Sequence, residues 1–190
     1  MAAASLIDTV RARPALSLAA LGLISGVLSA WAGMTYEPAW LALPGKLFFL
    51  DAGSMPIGIF FAVAVATGVW LSTGQLAAVP VVLLATMYAW SAAIQTAIVI
   101  MNTTSDLRQI LGSLAAGAVG AGVTHLGCAV LVAELRQLRG VALTIAVGAL
   151  AGLLYYLGDR QIIDLRLLFV VWQPAVAYCI GLGLAARSAA

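Results

Sequence analysis

The charges of this chain stand between long apolar stretches and almost never inside one, and that spacing limits what it can fold into. Six apolar segments can be marked off, over 14–36, 56–72, 76–101, 110–132, 141–157 and 167–186. Each is near the roughly 20 residues that carry a helix across a bilayer core. Lipid offers no partner for a loose backbone group, so each segment is expected to be an α-helix. They are too long for barrel strands and show no period-two alternation. The fold class is therefore an all-α integral membrane bundle of six transmembrane helices. An amphipathic cytoplasmic segment, 1–13, precedes it, and a short cytoplasmic tail, 187–190, follows.

Composition agrees with that reading. Apolar residues are 64% of the chain, charged residues 8%, and the mean hydropathy is +1.10. A soluble domain is typically about 25% charged, and no soluble core of this size could hide so much apolar surface. The nine Lys and Arg are scattered, which argues against nucleic acid as a partner. The lipid bilayer is the partner the composition implies. Cys128 and Cys179 both fall in apolar runs and read as packing residues rather than a disulfide. Arg11 and Arg13, the apolar run after them and Ala30-Trp31-Ala32 resemble a signal peptide with its cleavage site. The length of the run and the Trp inside that site favour a retained helix.

Loop charge sets the expected orientation. One side carries Arg11, Arg13, Arg136, Arg139 and Arg187, and the other Lys46, Arg108, Arg160 and Arg166. Five cations against four place both termini in the cytoplasm, in what reads as a bacterial inner membrane. The sequon Asn102-Thr103-Thr104 then faces outward and is taken as incidental. The long loop 37–55 holds Trp40, Phe48, Phe49 and other apolar residues. Two readings stand for it: an interfacial helix, or a re-entrant segment lying over an outward cavity.

Small residues recur every four positions. Gly22, Gly26 and Ala30 do so on the first helix, and Ser113, Gly117 and Ala121 on the fourth. Thr144, Gly148 and Gly152 follow on the fifth, and Ala177, Gly181 and Ala185 on the sixth. Such stripes let helix backbones approach closely. The glycine-rich fourth helix is expected at the centre of the bundle. Some stripes are expected to serve a homo-oligomer or a membrane partner protein.

Polar residues inside the spans are the functional pointers, because each costs free energy unless paired or wetted. Tyr88, Ser91 and Gln95 fall on one face of the third helix, with Asn102 beyond. Gln173 lies between Trp172 and Pro174 on the sixth. Gln95 and Gln173 sit at matching depth, so they are expected to meet, either as an interhelical bond or as part of a polar cavity. That cavity, a substrate-binding site, would be lined by Tyr88, Ser91, Gln95, Gln173 and Tyr178. His125, the single histidine, has Cys128 one turn on. One His and one Cys make a poor zinc site. The readings left for it are a neutral bond to a neighbouring helix, a gating or pH-sensing role, or haem ligation that nothing else supports.

Catalytic patterns are missing. No Asp or Glu lies at mid-depth in a span, and there is no H-E-x-x-H, G-x-S-x-G, P-loop or C-x-x-C. No cofactor or metal is expected, and an enzyme is disfavoured. Two functions remain. One is a channel or facilitator-type carrier for a small neutral or weakly charged solute. The other is a non-transporting subunit or scaffold that docks a partner, or itself, through Gly/Ala faces.

Overall fold

A computed structural model describes residues 2–32 and 55–185, with side chains from residue 7 on and from residue 56 on. Helices dominate: α1 (Ala2–Ala12), α2 (Pro14–Ala32), α3 (Met55–Thr73), α4 (Ala78–Met101), α5 (Asp106–Ala129), α6 (Leu138–Asp159) and α7 (Arg166–Ala185). From α2 to α7, each helix is long and apolar enough to cross a membrane. At about 1.5 Å per residue, the 18 to 24 residues of these spans match a hydrocarbon core of about 30 Å. The chain is a multi-pass membrane bundle of six spanning helices. The loop 37–55, with its interfacial and re-entrant readings, lies almost wholly outside the described residues, as does the tail.

The breaks between helices have local causes. Pro14 has no backbone N–H and disfavours helical geometry in the residue before it, so α1 and α2 part at Arg13. Backbone bonds still run across the joint, from Arg13 N to Thr9 O and from Ser17 N to Arg13 O. The α1 helix lies against α3, with Val10 buried and Arg11 Nε donating to Leu71 O at 3.4 Å. Gly74, at φ +75, ends α3 in the left-handed region, and its N–H bonds Trp70 O at 2.7 Å.

Several boundaries moved from expectation by three or four residues: α6 starts at Leu138 rather than 141, and α5 is displaced at both ends. The apolar run 130–132 reads as the end of a span, but α5 starts at Asp106 and stops at Ala129. The next residues turn into a 3₁₀ segment, Ala133–Arg136. Arg136 reaches back to close the helix end, donating to Ala129 O at 3.0 Å and Val130 O at 2.9 Å. Those carbonyls have no intrahelical partner, so an arginine on the turn substitutes for another helical turn. Val132 meanwhile stays in the core.

Consecutive helices pack side by side, and α7 returns to pack along α2, so the six spans close into a ring. The α1 helix, the turn at 74–77 and the 130–137 segment lie at one end, here the N-terminal face. The 102–105 and 160–165 turns lie at the other, the 102–105 face. The centre is filled by Phe61, Val65 and Val69 of α3 and by Trp172, Val176 and Ile180 of α7. Helix α5 is accordingly not central, as its glycines suggested. It is one member of the ring, between α4 and α6. Its small residues meet several neighbours: Gly112 and Gly127 face α4, Gly117 and Gly122 face α6, and Gly120 faces Trp172 of α7.

Against α6 the stripes of the two helices mesh. A methyl group on Gly152 would lie 2.5 Å from Ser113 O, and one on Gly117 would lie 2.9 Å from the Gly152 Cα and overlap Gly148 O. The α2 and α7 stripes mesh likewise. A methyl group on Gly22 would meet Pro174 Cα at 2.8 Å, one on Gly26 would meet Phe169 O at 2.5 Å, and one on Gly181 would meet Ala15 Cα at 2.5 Å. Backbone meets backbone at both seams, which is where small residues contribute most in a membrane. Gly117→Leu should therefore lower stability by about 3 kcal/mol, read as a fall in thermal midpoint and monodisperse yield in detergent. Leu150→Ala, on an exposed face of α6, should change both little.

Candidate functional site

The polar side chains expected on a shared path are paired within the bundle or turned away from one another. Gln173 is 2% exposed and faces α2, not α4. Its Oε1 accepts from Ser25 Oγ at 2.6 Å, and its Nε2 donates to Ser29 Oγ at 3.0 Å. Two serines one turn apart thus clamp both ends of one amide, beside the close approach at Gly22 and Gly26. Ser25 and Ser29 were not singled out from sequence. Their signal was present, since they share the i, i+4 spacing of the neighbouring glycines.

Gln95 is exposed on α4, and the expected meeting with Gln173 does not occur. Tyr88 is 53% exposed and Tyr178 39%, while Ser91 is buried. None of the five lines the hollow that the bundle does hold. The reason is rotational. Successive residues turn by about 100° around a helix, so the stripe of Tyr88 and Gln95 lies well round α4 from the inward stripe of Trp90, Ile94 and Ala97. Depth was legible from the sequence, but the angle about each helix axis was not.

His125 is fully buried and ties three elements together. Its Nε2 lies 3.0 Å from Leu135 O on the 3₁₀ turn, and its Nδ1 lies 2.7 Å from Thr144 Oγ1 on α6. A carbonyl only accepts, so the proton sits on Nε2, and in the neutral ring Nδ1 accepts from the Thr144 hydroxyl. That hydroxyl also stands 2.9 Å from Gly140 O, but it has one proton to give. Among the described residues, no three of His, Cys, Asp and Glu gather as a metal site would require.

The bundle does hold a hollow, of about 300 Å³, between α4, α5, α6 and α7 toward the 102–105 face. Small residues open it: Ala93 and Ala97 on α4, Ala116 and Gly117 on α5, and Gly152 on α6. Aromatic rings frame it. Trp172 packs edge-on to Phe61 at 5.4 Å, and Trp90 lies 6.0 Å from Phe169. The Trp172 indole is pinned, its Nε1 donating to Gly148 O at 3.1 Å. Toward the mouth, Ile98 is 57% exposed and Leu165 39%. The turns around it carry ion pairs, Arg160 with Asp106 and Arg166 with Asp164 at 3.5 Å. All four side chains are exposed, so the pairs contribute little stability.

Only a few polar groups line this pit. Ser113 is buried, its hydroxyl 3.4 Å from Met101 Sδ, and the Trp172 N–H is already used. Tyr155 differs: it is half-buried, and its hydroxyl makes no hydrogen bond among the described residues. The pit and Tyr155 are not legible in the sequence, because a hollow between apolar helices leaves no polar trace. Comparison with protein-family models, curated proteins and solved structures finds no match.

The clamp gives a sharp stability test. Orphaning a buried amide costs about 1–3 kcal/mol, whereas removing both partners is nearly neutral. Ser25→Ala with Ser29→Ala should therefore destabilise the protein more than Gln173→Leu does, because a serine that loses Gln173 can turn its one proton to its own helix, as Gly22 O, 2.9 Å from Ser25 Oγ, allows. Adding Gln173→Leu to the double alanine variant should restore much of the loss in thermal midpoint.

Proposed function

We propose that the protein is a non-transporting membrane protein that holds a single apolar chain, drawn from the surrounding bilayer, in the pit between α4 and α7. The observation that carries this is a hollow of about 300 Å³ with almost wholly apolar walls, at the lower end of the range for ligand pockets. Apolar cavities of even about half that size stay dry and take up apolar guests. A hydrocarbon chain is the guest a bilayer supplies in excess.

The two functions expected from sequence find less support. A carrier for a neutral solute drew on a shared site of Gln95 and Gln173, and Gln173 is instead held by Ser25 and Ser29. Docking through small-residue faces drew on Gly22, Gly26, Gly117, Gly148, Gly152 and Gly181. All six are buried against neighbouring helices of the same chain.

The test uses a brominated single-chain amphiphile, whose bromine quenches indole fluorescence on contact. With Trp31, Trp40 and Trp70 replaced by Phe, the remaining signal comes from Trp90 and Trp172, which line the pit. Quenching should saturate with probe, and Ala116→Phe should remove the saturable part. Quenching that rises without saturation, identically in both proteins, would refute the reading. Flux of a panel of small neutral solutes into proteoliposomes should match that of empty liposomes, and faster flux would restore the carrier.

The five-to-four division of Lys and Arg further leads us to place both termini in the cytoplasm of a bacterial cell, with the pit opening in the outer leaflet. In a background lacking Cys128 and Cys179, Thr104→Cys should label from outside and Gln75→Cys only from the cytoplasm. Both positions lie in exposed turns. The reverse pattern would invert the topology.

A further inference from the structure

Tyr155 gives the pit a chemical preference. Resting on the reading of the pit as a hydrocarbon site, we propose that its ligand is a single-chain amphiphile with an uncharged, oxygen-bearing head, such as a long-chain alcohol, and that the Tyr155 hydroxyl holds that head. Three placements lead there.

The first is polarity along the pit. Its deeper walls are the ring of Trp172 and the backbone and small side chains of Gly117, Gly152 and Ala93. Tyr155 follows Gly152 by three residues on α6, toward the 102–105 face. It stands four residues before the helix end at Asp159, or about 6 Å below it. A tail placed in the deeper part puts the head of its molecule at the level of Tyr155.

The second is the state of that hydroxyl. It has no protein partner among the described residues, and it is not among the buried polar atoms. A phenol donates one hydrogen bond and also accepts. An ether, ester or alcohol oxygen in the pit satisfies it, which a plain hydrocarbon cannot do.

The third is charge. Asp159 lies one turn beyond Tyr155 on the same helix face. The turns about the mouth carry Asp106, Asp159 and Asp164 against Arg108, Arg160 and Arg166, a balanced set. Arg160 and Arg166 already face carboxylates. A carboxylate head at Tyr155 meets Asp159 as a like charge, with no net cationic field among the described residues to offset it, so the site selects against fatty acid anions.

The experiment compares three bromine-tagged probes of equal chain length, namely an alcohol, an alkane and a carboxylate, by saturable quenching of Trp90 and Trp172 at neutral pH. The wild-type protein should bind the alcohol about tenfold more tightly than the alkane, as one added hydrogen bond in apolar surroundings predicts, and the carboxylate most weakly. Tyr155→Phe keeps the ring and should bring the alcohol down to the alkane without changing the alkane. Asp159→Asn should strengthen the carboxylate severalfold and leave the alcohol alone. Saturable binding with no preference for the alcohol in the wild type would overturn the head-group assignment while leaving the pit intact. A preference that survives Tyr155→Phe would do the same. Absence of saturable binding by the alkane would remove the pit reading itself.

Discussion

Backbone contact between helices, made possible where glycine puts no side chain in the way, governs the arrangement of this bundle. Lipid tails are as apolar as leucine, so burying apolar side chains drives helix association far less than it does in water. What remains is close packing, and it is closest where no side chain intervenes. Gly117, Gly148 and Gly152 bring α5 onto α6, and Gly22, Gly26 and Gly181 bring α7 onto α2. The two seams have an indirect effect as well. Short side chains on the inward side of these helices leave space between α4 and α7 that Trp90, Phe169 and Trp172 frame but do not fill.

The interior polar groups obey the same solvent. Each is expensive in hydrocarbon unless it is paired, and the structure pairs several of them across helices. Gln173 is shared between two serines, and His125 between a carbonyl of the 3₁₀ turn and a threonine of α6. Arg136, at the N-terminal face, turns its guanidinium back onto the end of α5. These bonds fix rotation and register, which glycine seams alone leave loose. A seam of small residues can slide by a turn; an amide held at both ends cannot.

Much of the fold was legible in the sequence and less of the site. Helix number, approximate ends and the four small-residue stripes follow from runs of apolar residues and from spacing, which are one-dimensional properties. The 130–132 run misled because apolar character marks burial, not helicity, and Val132 is buried without being helical. Gln95 and Gln173 misled for a different reason. Two residues at equal depth on two helices meet only if both rotations agree, and rotation is set by neighbours that are distant in the sequence. Tyr155 carries no signal in the sequence, because a tyrosine near a helix end is ordinary at a membrane interface. Its interest comes from the hollow beside it, which no residue spells out.

The seam between α2 and α7 joins the first span to the last, and Ser25 bonds a side chain 148 residues further along. A chain made from its N-terminus therefore completes five spans before the sixth can close the ring. Until then α2 presents two serines and a glycine groove with nothing to receive them. Insertion into the bilayer and closure of the bundle are thus separate events in time. The second is a long-range step of the kind that slows assembly. A nascent chain waiting at that stage has an open flank, the glycine groove and serine pair that its own last helix will later cover.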